Sequence, residues 1–492
     1  MRLQCNRLRL LIFGVVGLIA FFLCYTYAPV DAMAYATDST DGRVAYTTNR
    51  SGEDRKIFYN VQDAINDGYN EGRLIYMCSD WCLDETLGIA DSKSVYIFMY
   101  GHKITNNCNS TVIRLYENAR LYLLDDAYTP WYKINMRYTG RSSGSHMVDE
   151  YWNAGATTEA DGLVTGGVGD GDKAGGIWME DCSLLYLRGV SVAGNANIGK
   201  TNVGGGVTME QSCNLIMHRE ARIQDNYGTY GGGVGVTGTN NNIWLYEGSS
   251  IDGNTAKEGG GIYSPNEGTR IHLELDSNIS NNTAALGGGV SLEYGWNSIS
   301  SDDKTGFLQG NRADSGYGGA VKCNSTGTTC GFYGVTFNDN TATTNGGALY
   351  LYDREHIFSY EGNVTIEDCT IVNNRCSVGN GSGEGGGVYA DDSVDVNLRN
   401  KVIIKDNSRS FTGVADDLFL GDSNYIFTRS HSYILGGATE GSDVRVRTGM
   451  TKDQRIGKHI NTYASGIYKM DIDSYWVTKG DDYGGDLWQR SN

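Results

Sequence analysis

The sequence predicts an all-β fold, a parallel β-helix whose coils stack along one axis, and three observations carry that prediction. The first is a repeated half-motif of an apolar residue, two variable residues and an Asn. It reads VAGN (Val192–Asn195), IQDN (Ile223–Asn226), IDGN (Ile251–Asn254), ISNN (Ile279–Asn282), LQGN (Leu308–Asn311), FNDN (Phe337–Asn340), IVNN (Ile371–Asn374) and IKDN (Ile404–Asn407). Successive copies start 31, 28, 28, 29, 29, 34 and 33 residues apart, and a period in this range marks solenoids, propellers or arrays. The second is an interlocked half-motif, a Gly pair followed by an aliphatic residue, beginning at Gly175, Gly205, Gly232, Gly260, Gly288, Gly318, Gly346 and Gly386. The third is residue type. Runs such as NNIWLYEG, TRIHLEL and NVTIEDCTIV are short, β-branched and bounded by Gly, Asn, Asp and Ser, with no amphipathic helical window between them. A helical repeat is excluded, and a propeller blade needs about 40–50 residues for four strands. Two or three strands plus turns fit one coil, laid on the coil below at about 4.7–4.9 Å.

Each part of the repeat has a physical role in such a coil. The Gly pair stands where the chain bends tightly and takes positive φ, which only Gly adopts without steric cost. The recurring Asn stacks on its copy in the next coil to form a ladder of amide hydrogen bonds. The residue after the Gly pair (Ile177, Val207, Val234, Ile262, Val290, Ala320, Ala348, Val388) faces inward under period-two alternation and builds an aliphatic stack. A Gly-rich disordered tract would instead need low hydrophobicity and irregular spacing.

The pairing of GG-[AVIL] with FxxN resembles the signature of polymorphic outer membrane protein repeats, and Gly346–Leu349 with Phe337–Asn340 match it to the letter. Other copies keep the Asn and the Gly pair but replace Phe by Ile, Leu or Val. The chain also resembles the secreted adhesin-like β-helix proteins of Gram-positive gut bacteria. Both resemblances imply a right-handed parallel β-helix and a surface or adhesive role.

Read from its start, the chain opens with an export segment at residues 1–34. Arg2, Arg7 and Arg9 form a basic region, Leu10–Leu23 an apolar run of 14 residues, and Ala32-Met33-Ala34 an A-x-A cleavage site. Fourteen residues are short for a membrane span, which needs about 20. Residues 35–420 are assigned to the β-helix. Within them, Tyr59–Tyr69 carries Val61, Ala64, Ile65 and Gly68 at helical spacing, which predicts a capping helix over 60–69 at the first open edge. Residues 127–173 interrupt the rhythm with Trp131, Tyr132, Tyr138, His146, Tyr151 and Trp152. A long irregular insertion on a rigid scaffold is where binding concentrates. Residues 421–492 lack the repeat and predict a small C-terminal β cap.

The net charge of −18 repels nucleic acid and anionic lipid at long range, so neither is an expected partner. Membrane contact is expected only through the N-terminal segment. Nine cysteines follow the leader, an odd number in an oxidising compartment. Cys182 and Cys213, each followed by x-Leu in consecutive coils, form the candidate disulfide, and Cys323–Cys330 closes a small loop as a second candidate. Asp170-Gly-Asp172 is a weak candidate Ca²⁺ contact, since one short D-x-D is more often a turn. No cofactor, metal or catalytic residue is assigned.

Hydrolysis of a glycosidic bond needs two carboxylates about 5–9.5 Å apart. The adjacent pairs Asp302-Asp303, Asp391-Asp392 and Asp416-Asp417 would point to opposite faces of a strand, and Lys322 and Arg270 stand as lone basic residues. Trp178, Tyr263 and Tyr389 share the position after the first inward residue and face outward, with Thr208, Gly235, Ser291 and Val321 interrupting the row. With Trp131, His146, Tyr151 and Trp152 they form the candidate binding surface. The expected function is a secreted or cell-surface adhesin-like scaffold that binds glycans or extracellular proteins. The alternative is an extracellular polysaccharide lyase or glycoside hydrolase. A catalyst would bring three or more Asp, Glu, Lys or His side chains together in one groove, and a binder would show a continuous aromatic face.

Overall fold

The computed structural model describes residues 42–70, 73–125 and 162–421 apart from 326–328, 354–361, 377–382, 392–393 and 410–413, and beyond 421 the segments named below. It is a β-solenoid of about ten turns with almost no helix. Each regular coil lays down four short strands where two or three were expected. One coil runs Val207–Met209, Asn214–His218, Arg222–Gln224 and Tyr227–Tyr230 before Val234–Val236 opens the next. These positions define ladders 1 to 4 in that order. The fourth strand occupies the stretch between the Asn and the glycines and shrinks to two residues in several coils, too short to read as a strand from sequence.

Equivalent strands of successive coils pair in parallel and in register, as in Ile223↔Ile251↔Ile279↔Leu308↔Phe337↔Ile371↔Ile404 on ladder 3. All of these residues are fully buried. The Asn of each repeat turns inward at the corner between ladders 3 and 4. Its backbone N–H and its Nδ2 both donate to Oδ1 of the next Asn, each bond 2.9–3.1 Å long, from Asn195 through Asn226, Asn254, Asn282, Asn311, Asn340 and Asn374 to Asn407. The ladder ends on Asp417, whose Oδ1 accepts from Asn407 N at 2.6 Å and Nδ2 at 2.8 Å. An acceptor-only carboxylate suits the last rung, which has no further copy to donate to.

The glycines divide two jobs that the sequence reading merged. The first residue of each Gly-Gly-Gly or Gly-Gly-Ala run holds positive φ, as at Gly259 (62°), Gly287 (58°), Gly318 (69°) and Gly346 (67°). The second lies against the next coil: a Cβ on Gly260 would stand 2.3 Å from the Gly288 carbonyl oxygen. This registration corrects the inward stack. Val290 pairs with Val321, and Val321 with Leu349, so ladder 1 buries Val321 and Leu349 where Ala320 and Ala348 were expected. Ala320 and Ala348 take the third glycine's place, and the next residues along ladder 1, Lys322 and Tyr350, face outward.

A similar one-residue slip removes the candidate disulfide Cys182–Cys213. Leu184 pairs with Asn214, which sets Cys213 opposite Ser183, and the two Cys are free thiols. Cys213 is buried with its Sγ 3.6 Å from Ser183 Oγ, while Cys182 is exposed. Cys323 and Cys330 are joined.

At the N-terminal end, Ala45–Thr48 pairs antiparallel with Lys56–Phe58 and Leu74–Met77. Helix α1 spans Val61–Gly68, with the Asn60 side chain accepting from Asp63 N as N-cap. It buries Ala64, Ile65 and Gly68 at the end of the core. A Cβ at residue 68 would lie 2.5 Å from Ile75 Cδ1, so the helix end packs closely on that strand. At the other end the parallel ladders run on past Leu420 through Ile434–Leu435, Asp443–Thr448, Gln454–Lys458 and Tyr468–Met470. Tyr475–Lys479 and Leu487–Ser491 then pair antiparallel. The expected export segment and residues 126–161 of the expected insertion lie outside the described residues. Gly162–Thr165, at the end of the expected insertion, is already a buried ladder 3 strand paired to Lys103–Thr105.

Candidate functional site

The outer face of ladder 1 carries the candidate residues that the structure describes. In register from one end, its outward row reads Arg114, Trp178, Thr208, Gly235, Tyr263, Ser291, Lys322, Tyr350, Tyr389 and Phe419. Trp178, Tyr263 and Tyr389 do share one row. Trp131, His146, Tyr151 and Trp152 lie outside the described residues.

The row falls into three parts. At the first end, the Arg114 guanidinium lies 4.1 Å over the rings of both Trp178 and Tyr116, and Lys173 Nζ is 5.3 Å from the Trp178 ring. Trp178 Nε1 donates to Glu210 at 2.9 Å, and Arg114 pairs with Glu180. At the far end, Tyr317 stacks on Tyr350 at 4.5 Å, Tyr350 on Tyr389 at 5.4 Å, and Tyr389 on Phe419 at 5.3 Å, with planes 12–22° apart. The stack runs along the solenoid axis, so each ring covers its neighbour's face and turns an edge to solvent. Ladder 2 repeats the device, with Tyr96 on Tyr122 at 4.3 Å and Trp244 on His272 at 3.7 Å.

Between these ends lies a charged centre that the sequence reading missed. Lys322 Nζ is 2.6 Å from Glu258 Oε1 and 2.5 Å from Glu293 Oε1, and the three side chains are only 10–13% exposed. Ser291 Oγ is 3.0 Å from the same two oxygens, and the Tyr352 hydroxyl donates to Glu293 Oε2 at 3.0 Å. The Tyr352 ring also lies 5.1 Å from Nζ. Burial raises the Glu258 pKa, and the neighbouring Glu293 carboxylate adds to the rise by charge and hydrogen bond. For Glu293 burial acts the same way, but the Lys322 ammonium outweighs it and the carboxyl stays ionised below its usual range. Burial would lower Lys322, yet Glu293 and Glu258 together hold it protonated. The cluster is thus one ammonium between two carboxyl groups, with burial favouring the protonated form of Glu258 and Lys322 favouring the ionised form of Glu293. The Gly-Gly-Ala runs suggest Val321 for the outward row, and the register gives that place to Lys322. The Gly triplets at 231–233, 259–261 and 287–289 were the signal that would have aligned it.

The acidic pairs weighed for hydrolysis have other work. Asp416 Oδ2 accepts from Gly385 N at 2.8 Å, Asp417 ends the Asn ladder, and Asp302 and Asp303 give their amides to Glu274. Asp392 lies outside the described residues. Asp170 sits in a tight turn bridged to Lys173. Among the described residues no group of three His, Cys, Asp or Glu side chains is placed to hold a metal ion. A cavity of about 180 Å³ lined by Lys304, Thr336, Asp368, Thr370 and Lys401 opens beside ladder 3, on a different face from the charged centre.

Residues 248–265 and 334–352 match the family model of the Chlamydia polymorphic membrane protein repeat. Each matched stretch holds an Asn rung and the glycine run that follows it. The chain is thus a parallel β-helix repeat protein resembling polymorphic membrane protein repeats, which points to a surface or outer-membrane β-helix protein. No match was found among curated proteins or among solved structures.

Proposed function

We propose that the chain is exported through residues 1–34 and acts at the cell surface as an adhesin-like, non-catalytic scaffold whose outer ladder 1 face binds an extracellular protein. The observation that supports this reading is the row Tyr350, Tyr389 and Phe419 with Tyr317 beside it. Tyrosine edges carrying hydroxyls, on a rigid sheet, form protein contacts at low entropic cost. A glycan platform needs open ring faces, and here Arg114 covers Trp178 while the tyrosines cover one another. Three charged side chains do converge, the condition set for a catalyst. Their hydrogen bonds are nevertheless turned on one another beside Tyr352.

The test is an array of extracellular-matrix proteins and glycans probed with the wild-type chain and the Tyr350→Ser/Tyr389→Ser variant. Binding to protein spots, weakened about 30-fold or more in the variant, is expected for a central aromatic anchor worth about 2 kcal/mol. Binding confined to glycans would overturn the protein partner. Release of reducing or unsaturated sugars from polysaccharide mixtures would overturn the non-catalytic reading.

A further inference from the structure

The cluster takes Glu258 from the end of the coil that Val234 opens, Glu293 from the coil that Val290 opens and Lys322 from the coil after that, and its two ends lie 64 positions apart in the chain. An ion triad this enclosed is a poor stabiliser. Desolvating charges costs several kcal/mol per ion, and apolar residues of the same volume usually serve better. What the arrangement does supply is an amine, a carboxyl group and a third group able to carry a proton, held in contact and nearly buried. Hydrogen-bond contact at 2.6 Å puts the Glu258 carboxyl carbon, one bond beyond Oε1, within reach of Nζ. Reacting groups fixed at about 3–3.5 Å have effective molarities of about 10⁵–10⁸ M.

We propose that Lys322 and Glu258 condense to an intramolecular amide, with Glu293 as the proton carrier. Lys322 passes a proton from Nζ to the Glu293 carboxylate across the 2.5 Å contact. The freed amine attacks Cδ of the Glu258 carboxyl group in its protonated form, and the N–C bond forms as the carbonyl π bond opens. The resulting tetrahedral centre is zwitterionic, and Glu293 relays a proton from its nitrogen to the departing hydroxyl. The C–O bond breaks and one water leaves. The products are the secondary amide, water and a protonated Glu293, so the ammonium and carboxylate charges cancel and every proton is accounted for. No oxidant, metal or second substrate enters. Ser291 Oγ and the Tyr352 hydroxyl orient the two carboxyl groups throughout.

Solenoid coils are held only by their neighbours. A bond from Glu258 to Lys322 encloses the coils that Ile262 and Val290 open, so these cannot unwind separately. That suits a surface protein that meets mechanical load, and it holds whichever partner the ladder 1 face binds.

The experiment is intact-mass spectrometry on the purified full chain, denatured and reduced, followed by tandem sequencing of its peptides. The expected result is a mass lower than the sequence mass by one water and a branched peptide joining Lys322 to Glu258. Lys322→Arg and Glu258→Ala should restore the full mass, and Glu293→Gln should leave most of the chain unlinked. Full sequence mass for the wild-type chain overturns the proposal, whether or not any variant folds. A branch through Glu293 overturns the assignment of electrophile and proton carrier.

Discussion

At the residue scale, His272 shows how the outer ladders make ordinary side chains depend on pH. Its ring lies 3.7 Å from Trp244 at 7°, with Nδ1 2.9 Å from Ser300 Oγ. Burial pushes its pKa down from 6.5 to about 4, with Arg270 acting the same way and Asp302 opposing. His218, stacked 4.6 Å from Tyr246, is shifted down to about 4 as well, again chiefly by burial. An unfolded His titrates near 6.5. Between about pH 6.5 and pH 4 the unfolded chain therefore binds a proton that the native chain refuses. Stability is flat above that window and falls as pH drops through it. For His272 alone the loss is about 2 kcal/mol once its partial exposure is discounted. Replacing His272 with Phe keeps the stack and removes the proton. The gap between unfolding midpoints at pH 7 and pH 4.5 should narrow in that variant, and an unchanged gap would refute the assignment.

At the scale of the element, the Asn ladder was legible in the sequence because each rung needs its own copy above and below, so the spacing repeats. Asn282 accepts from Asn254 N and Nδ2 and donates to Ile251 O and Asn311 Oδ1. Asn282→Ala leaves the two Asn254 donors without acceptors and should cost about 2–4 kcal/mol. Asn282→Asp keeps the acceptor but sets a carboxylate against Ile251 O and Asn311 Oδ1, and should cost more at neutral pH. Only at the last rung does the chain place Asp, at Asp417. Urea unfolding midpoints decide the order, and an Asn282→Asp variant more stable than the Asn282→Ala variant would reverse it. Register was less legible. A strand shifted by one residue exchanges its faces, and Gly-Gly-Ala at Gly318 and Gly346 mimics Gly-Gly-Val closely enough to produce that slip. The same error set Cys182 against Cys213. The charged centre was hidden for a further reason: residues 258, 293 and 322 have no motif in common and meet only because coils of 28–31 residues stack.

At the scale of the whole molecule, a chain of nearest-neighbour contacts has no single core whose loss unfolds everything. Protection against hydrogen exchange should therefore vary along the axis. The continuous Asn ladder spans Asn195 to Asp417, and the disulfide at Cys323–Cys330 lies inside it. Amides of the inward strands from Val207–Met209 to Leu349–Tyr352 should exchange most slowly, and those of Ala45–Thr48 and Leu418–Leu420 faster. A lesion in the middle then distinguishes a sum of neighbours from one cooperative block. Lys322→Ala leaves Glu258 and Glu293 facing each other without Lys322, a defect of about 3–5 kcal/mol confined to the stretch from residue 258 to residue 322. In a nearest-neighbour solenoid, exchange should accelerate around residues 258–322 and fall back toward wild-type rates within a few coils on either side. Uniform acceleration from Ala45 to Leu420 would show that the solenoid unfolds as one unit, with coupling that passes well beyond adjacent coils.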